Sequence, residues 1–308
     1  MTWTIEVRFH PIFELLNSLR VFTQPAFYKK TEMGVNWRKT VLKQLSGNLA
    51  DALNSEQLEQ IGLLSEYLLT KPVSNLPLEQ LLDELSDTTR KGVLEHFQNQ
   101  MHVPKDYFSS AEGTFETSID LLKQWKKEYY DQLDPGTLTS LEEDFLEKQQ
   151  QITHYSPLDF VEKATNGFVL RGYDQVKKVI LYPAYHSSPI VTYSHYPQLH
   201  IYGYPVDLNP SLEGEPSPSL MQRGIALSDK NRLRILRFLE KKERSFTDIV
   251  NFIGLAKSTV HHHMVLLRAS GLVQVILSPT SSERYRLREQ GLDNIFQNYH
   301  QYLFPSEV

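Results

Sequence analysis

The chain has 308 residues, 32 Lys+Arg against 37 Asp+Glu for a net charge of −5, 40% hydrophobic residues and no cysteine. Without thiols there is no disulfide framework and no thiolate metal site, and no run approaches the roughly 20 apolar residues that cross a bilayer. The length exceeds one small domain, and Met1–His10, carrying Glu6 and Arg8, does not read as a cleavable signal, so a cytoplasmic protein of two domains with no membrane partner is expected.

In chain order, Thr4–Phe9 alternates as a short strand does, and Pro11 opens a helix to about Arg20. Helical spacing recurs over 34–54, 55–70, 77–100, 114–133 and 137–151; in 55–70 the stripe is Leu58, Ile61, Leu64 and Leu68 with Tyr67. Trp37, Phe108, Phe115 and Trp125 are expected to fill the helical core. From about 152 the composition turns to β-branched and aromatic residues, and Gly167–Gly172, Lys178–Tyr182, Ile190–Tyr193 and Leu199–Tyr204 read as strands of a small sheet. Residues 209–220, rich in Pro, Ser and Glu, read as a linker. The expected fold is α+β and mostly helical. Residues 1–208 form a helical domain with a small β-sheet for effector binding or dimerisation, and 221–308 form a second domain.

Tyr182, Tyr185, Tyr193 and Tyr202 crowd the strand region beside His186, His195 and His200. They could line a pocket for a small organic effector, with rings for apolar area and hydroxyls for orientation, or simply pack a half-buried sheet. The three histidines lack acidic or thiol partners at ligand spacing, so no metal and no other cofactor is expected. A phosphate-binding glycine loop, a Gly-x-Ser-x-Gly elbow and a His-Glu-x-x-His helix are all missing, and no catalytic residue is assigned.

Charge shifts along the chain. Residues 1–220 carry 19 Lys+Arg against 29 Asp+Glu, and residues 221–308 carry 13 against 8, a balance of −10 followed by +5. In the basic part, Leu233, Ile235, Leu236 and Leu239 form an apolar stripe, with Arg232, Arg234 and Arg237 on the other side. Phe246, Ile249, Val250 and Ile253 make a second helix that Gly254 closes in a left-handed turn. A third helix runs from about 256 to Ala269. Val260, Met264 and Leu267 point inward, and Ser258, His261, His262 and Val265 point outward. Val273–Leu277 and Arg284–Arg288, joined through Pro279–Glu283, make a ribbon, and this order is that of a winged helix-turn-helix domain over 221–308. An enzyme fused to such a DNA-binding domain is the rival class. Consecutive histidines His261–His263 point about 100° apart on a helix and cannot converge on one ion. His263 is expected to pack inward with a hydrogen bond.

These residues resemble the ArsR-type family of bacterial winged-helix repressors. The resemblance is carried by Leu227-Ser228-Asp229 leading into Arg232-Leu233-Arg234-Ile235-Leu236, by Ile253-Gly254-Leu255, by Lys257-Ser258-Thr259-Val260-His261-His262-His263, and by Leu267-Arg268-Ala269-Ser270-Gly271-Leu272-Val273. It covers about the last quarter of the chain and implies a homodimeric, sequence-specific regulator, a repressor rather than an activator, often released by an effector. Two features depart from the family. The wing tip Thr280–Glu283 lacks glycine and basic residues, and Thr247–Val250 stand where metal-sensing members carry cysteines. Asp293 and His300 are too few for a closed zinc site on the last helix.

A near-palindromic double-stranded operator is the expected partner. Lys257, Ser258, Thr259, His261 and His262 are the expected readers of base edges or nearby phosphates. Arg284 and Arg286 are assigned to phosphates from the wing, and Arg268 to phosphate or to the fold. The helix Gln290–Leu303, with Leu292, Ile295, Phe296, Tyr299 and Leu303, is either a dimer seam or packs on the first helix of its own domain.

Overall fold

The computed structural model describes residues 3–53, 59–71, 75–101, 115–208 and 214–305. Leu58, Phe108 and residues 209–213 of the expected linker lie outside the described residues. The chain forms a mostly helical α+β fold of two units, Met1–Gln150 with Gln175–Val206, and Gln151–Asp174 with Asp207–Val308.

The first unit opens with strand β1 (Thr4–Val7). Among the described residues nine α-helices follow it: α1 (Pro11–Thr23), α2 (Pro25–Tyr28), α3 (Gly34–Gln44), α4 (Gly47–Leu53), α5 (Glu59–Thr70), α6 (Leu78–Ser86), α7 (Arg90–Met101), α8 (Phe115–Glu128) and α9 (Pro135–Gln151). Helix α1 starts where the His10 side chain accepts the Ile12 N–H and Pro11 takes a first-turn position that needs no N–H. The expected helix 77–100 is two helices, broken after Ser86. Phe22, Phe97 and Trp125 are fully buried among leucines from α1, α4, α5, α6 and α8, and the Trp125 indole N–H donates to Ser18 Oγ at 2.9 Å.

The chain next contributes α10 (Pro157–Ala164) and β2 (Phe168–Leu170) to the second unit. It returns to the first for β3 (Lys178–Ala184), β4 (Thr192–His195) and β5 (Leu199–Pro205). The first sheet has the order β1-β3-β5-β4, with β1, β3 and β5 parallel and β4 antiparallel. Ile180, Tyr182, Leu199 and Ile201 join the helical core from one face. On the other face Val179, Leu181, Tyr202 and Tyr204 are also buried, and Lys148 of α9 lies 5.7 Å above the Tyr204 ring. Burial on both faces is what a mainly parallel sheet requires.

The second unit continues with α11 (Pro218–Leu227), α12 (Lys230–Glu240), β6 (Arg244–Ser245), α13 (Phe246–Ile253), α14 (Lys257–Ala269), β7 (Val273–Ser278), β8 (Ser281–Leu287) and α15 (Glu289–Leu303). Its sheet has the order β2-β7-β8-β6, and β2 runs parallel to β7 with Phe168 opposite Val275. The segment 167–172, expected in the first sheet, thus belongs to the second. Arg288 fastens it: its guanidinium pairs with Glu162 of α10 at 2.7 Å and donates to Asn166 Oδ1. Gly271 has φ 67°, and a Cβ there would strike the Asn166 side chain, so glycine is needed for both backbone and space.

Candidate nucleic-acid interface

Three local signals build the reading scaffold. Asp229 caps α12 by accepting the Asn231 and Arg232 N–H groups. Ser245 and Asp248 form a reciprocal capping box on α13, and Gly254 ends that helix at φ 73°, which turns the chain into α14. Ile235, Leu236, Leu239, Ile249, Ile253, Val260, Met264 and Leu267 are all buried between the three helices.

One inward position differs from the expectation. Arg232 is buried and Leu233 is 48% exposed. Positions 232, 235, 236 and 239 follow i, i+3, i+4, i+7, so helix geometry sends 232 inward whatever its polarity. The buried guanidinium is satisfied by the Ala226 carbonyl at 2.9 Å and the Ile225 carbonyl at 2.6 Å, at the end of α11.

Lys257, Ser258, Thr259, His261 and His262 are all exposed on α14. No side chain caps the start of this helix, so its first N–H groups point outward unclaimed by a cap, as an approaching phosphate requires. Val265 is half-buried and His263 is buried. His263 Nδ1 has no hydrogen-bond partner and lies 3.9 Å from Asp229, so the expected hydrogen bond is not made at that nitrogen. Burial lowers the His263 pKa. The three histidines therefore diverge, and among the described residues no group of three or more His, Cys, Asp or Glu could hold a metal ion. A groove of about 480 Å³ separates α14 from the wing, with Phe246, Thr247, His261, Val265, Arg268 and Glu283 on its walls.

The wing is a tighter hairpin than expected. Strand β8 begins at Ser281, so only Pro279 and Thr280 separate the strands; Ser281 pairs with Ser278, and the register shifts before Arg284 pairs with Ile276. Its arginines differ in their engagements. Arg284 donates to the Glu243 carbonyl at 2.9 Å. The Glu243 carboxylate is gripped at both oxygens by Arg171, at 2.9 and 2.7 Å, and Arg171 holds its pKa down. Arg268 lies 3.9 Å from Glu283 and 5.3 Å from the Phe168 ring centre. Arg286 is exposed, with Glu289 at 3.4 Å. Arg171, Glu243, Glu162 and Arg288 were not singled out in the sequence, because their partners are 72 and 126 residues away.

In the first unit the four tyrosines do not converge. Tyr182 pairs opposite Gly203, while Tyr202 pairs opposite Leu181 and Tyr193. Alternation along each strand therefore puts Tyr182 on one face and Tyr193 and Tyr202 on the other. Tyr182 packs on Phe13 at 6.1 Å, and Tyr202 contacts the His195 ring nitrogen at 2.7 Å. Tyr185 is half-buried and gives its backbone N–H to buried Glu14. Burial pushes His195 down to about 4, and burial with the adjacent His195 pushes His200 down to about 3.

Helix α15 packs on α11 of its own unit and leaves part of its surface exposed. Ile295 is buried, and the Tyr299 hydroxyl donates to the Leu220 carbonyl of α11 at 2.9 Å. Phe296, Leu303 and the following Phe304 are more than 60% exposed, and Met221 and Ile225 of α11 are exposed as well.

No helix among the described residues is long and apolar enough to cross a membrane. Residues 229–275 match the family described as bacterial regulatory protein, arsR family, which marks the second unit as a DNA-binding module of transcriptional regulation. No curated protein and no solved structure is matched by the chain.

Proposed function

We propose that this chain, whose residues 229–275 form an ArsR-family helix-turn-helix domain, is a homodimeric, cytoplasmic repressor that reads a near-palindromic operator and is controlled through its first unit. The observation that carries this reading is the uncovered polar face of α14, with Lys257, Ser258, Thr259, His261 and His262 exposed on a packed scaffold. Imidazoles and hydroxyls at that end of a helix can donate to and accept from base edges in the major groove. Of Arg268, Arg284 and Arg286, the last is best placed for phosphate, because it is exposed while the other two are half-buried.

Control by a small molecule is supported by a cavity of about 420 Å³ between α1, α5 and α6. Phe13, Leu68, Leu81 and Leu85 form its walls, with Lys71 and Glu84 among its polar groups. That volume falls in the range of ordinary ligand sites, about 300–1,000 Å³. It replaces the tyrosine cluster as the seat of an effector.

The test is operator selection from a random duplex library, followed by affinity measurements on His261→Ala/His262→Ala. Each lost base contact should cost about 1–3 kcal/mol in preference for the selected site, with little change on unrelated DNA. A specificity ratio equal to that of the parent protein would remove these histidines as readers.

A further inference from the structure

Helix α12 exposes Lys230, Arg234 and Arg237, and the next residue after its end, Lys241, keeps helical backbone angles and is exposed as well. The spacing i, i+4, i+7, i+11 places these four cations in an arc about 60° wide and about 16 Å long. The arc lies opposite the buried side formed by Arg232, Ile235, Leu236 and Leu239. Lys242 is exposed beside it and Arg244 is half-buried. Glu240, at the margin of the arc, is the acidic residue of the helix.

Two aromatic rings hold part of this surface in place. Phe238 and Phe252 stack at 4.0 Å with planes 2° apart. The Arg244 guanidinium lies 4.2 Å from the centre of the first ring and that of Arg234 lies 5.6 Å from the second. A guanidinium stacked on a ring by its face keeps its N–H edges available for phosphate oxygens. Among the described residues none of these cations forms an ion pair, whereas Arg268, Arg284 and Arg286 each have a carboxylate within 4.0 Å.

We propose that the α12 stripe is a second, sequence-independent contact for the phosphate backbone of duplex DNA flanking the site read by α14. The proposal rests on the DNA-binding reading above and adds where the phosphates are neutralised. Duplex DNA carries one charge per about 1.7 Å of axis, so a stripe of this length faces about nine phosphates, more than enough for its four cations. The stripe and the reading residues occupy different faces of the three-helix scaffold. DNA that meets both therefore has to extend past the read site and curve toward α12.

The experiment compares the full-length chain with Lys230→Gln/Arg234→Gln/Arg237→Gln/Lys241→Gln on a random-sequence duplex of about 40 base pairs, between about 50 and 200 mM salt. Glutamine keeps helix propensity, and circular dichroism checks the fold. The slope of log affinity against log salt should become shallower by about 3 to 4, near 0.9 per lost contact. A matched variant, Lys29→Gln/Lys30→Gln/Lys39→Gln/Lys43→Gln, removes the same charge from exposed lysines of the first unit and should leave the slope unchanged. An unchanged slope in the stripe variant, including one accompanied by lost binding of an acidic protein, overturns the proposal, as does an equal fall in the matched variant. If the parent protein binds no duplex even at the lowest salt, the DNA-binding reading falls with it. Binding that responds to His261 and His262 but not to the stripe overturns the stripe alone.

Discussion

His195 and His200 stack at 3.9 Å and are kept neutral by burial, with pKa values pushed to about 4 and about 3. In the unfolded chain an imidazole takes up its proton near pH 6.5. Between that value and about 4 the unfolded state binds more protons than the folded one, so stability falls as pH falls. Their contribution is complete above pH 6.5, and by pH 5 each should lose on the order of 2 kcal/mol, about 4 kcal/mol for the pair. Urea unfolding of the parent and of His195→Gln/His200→Gln across this window checks the assignment. The variant should show the flatter profile, and parallel profiles would place the acid sensitivity elsewhere. Arg232 teaches a related lesson about single residues. Its inward place follows from spacing alone, yet polarity argues for the surface, and the Ala226 and Ile225 carbonyls at the end of α11, which accept from it, explain why a guanidinium is tolerated there.

Among the elements, β2 has the largest consequences. It covers the edge of β7, and Glu162 of α10 neutralises Arg288, whose side chain is 5% exposed. A fragment 221–308 lacks both, leaving a strand edge open and a buried charge without its partner, a loss of about 3–5 kcal/mol from the ion pair alone. That fragment should melt well below the full chain and regain stability when a peptide of residues 151–174 is added. Equal melting with and without the peptide would show that β2 is dispensable. This element also marks how far the sequence could be read. Helices α12 to α14 were legible because their glycine turn and apolar spacing are local, as in Gly254, Ile249 and Ile253. The three residues Phe168–Leu170 say "strand" but cannot name a partner more than 100 positions away, so they were placed in the nearer sheet. The exposed face of α14 was legible for the same local reason, and the engagement of Arg284 by Glu243 was not.

For the molecule as a whole, Met221 and Ile225 of α11, Phe296 and Leu303 of α15 and the following Phe304 are exposed apolar side chains, and the proposed homodimer would bury those of α15 about a two-fold axis. Two copies joined there would present two α14 helices to half-sites about 34 Å apart. Phe296→Glu/Leu303→Glu should shift the protein to monomers in sedimentation and weaken the palindromic site far more than a half-site. A parent protein that already sediments as a monomer would reject the pairing. The parallel match of Phe168 with Val275 also sets an order on synthesis. The ribosome delivers the earlier strand 107 residues before its neighbour, which at about 5–20 residues per second is a wait of several seconds or more. During that interval Phe168 and Leu170 are unsheltered. A nascent chain stalled before residue 273 should therefore be the species that chaperones hold.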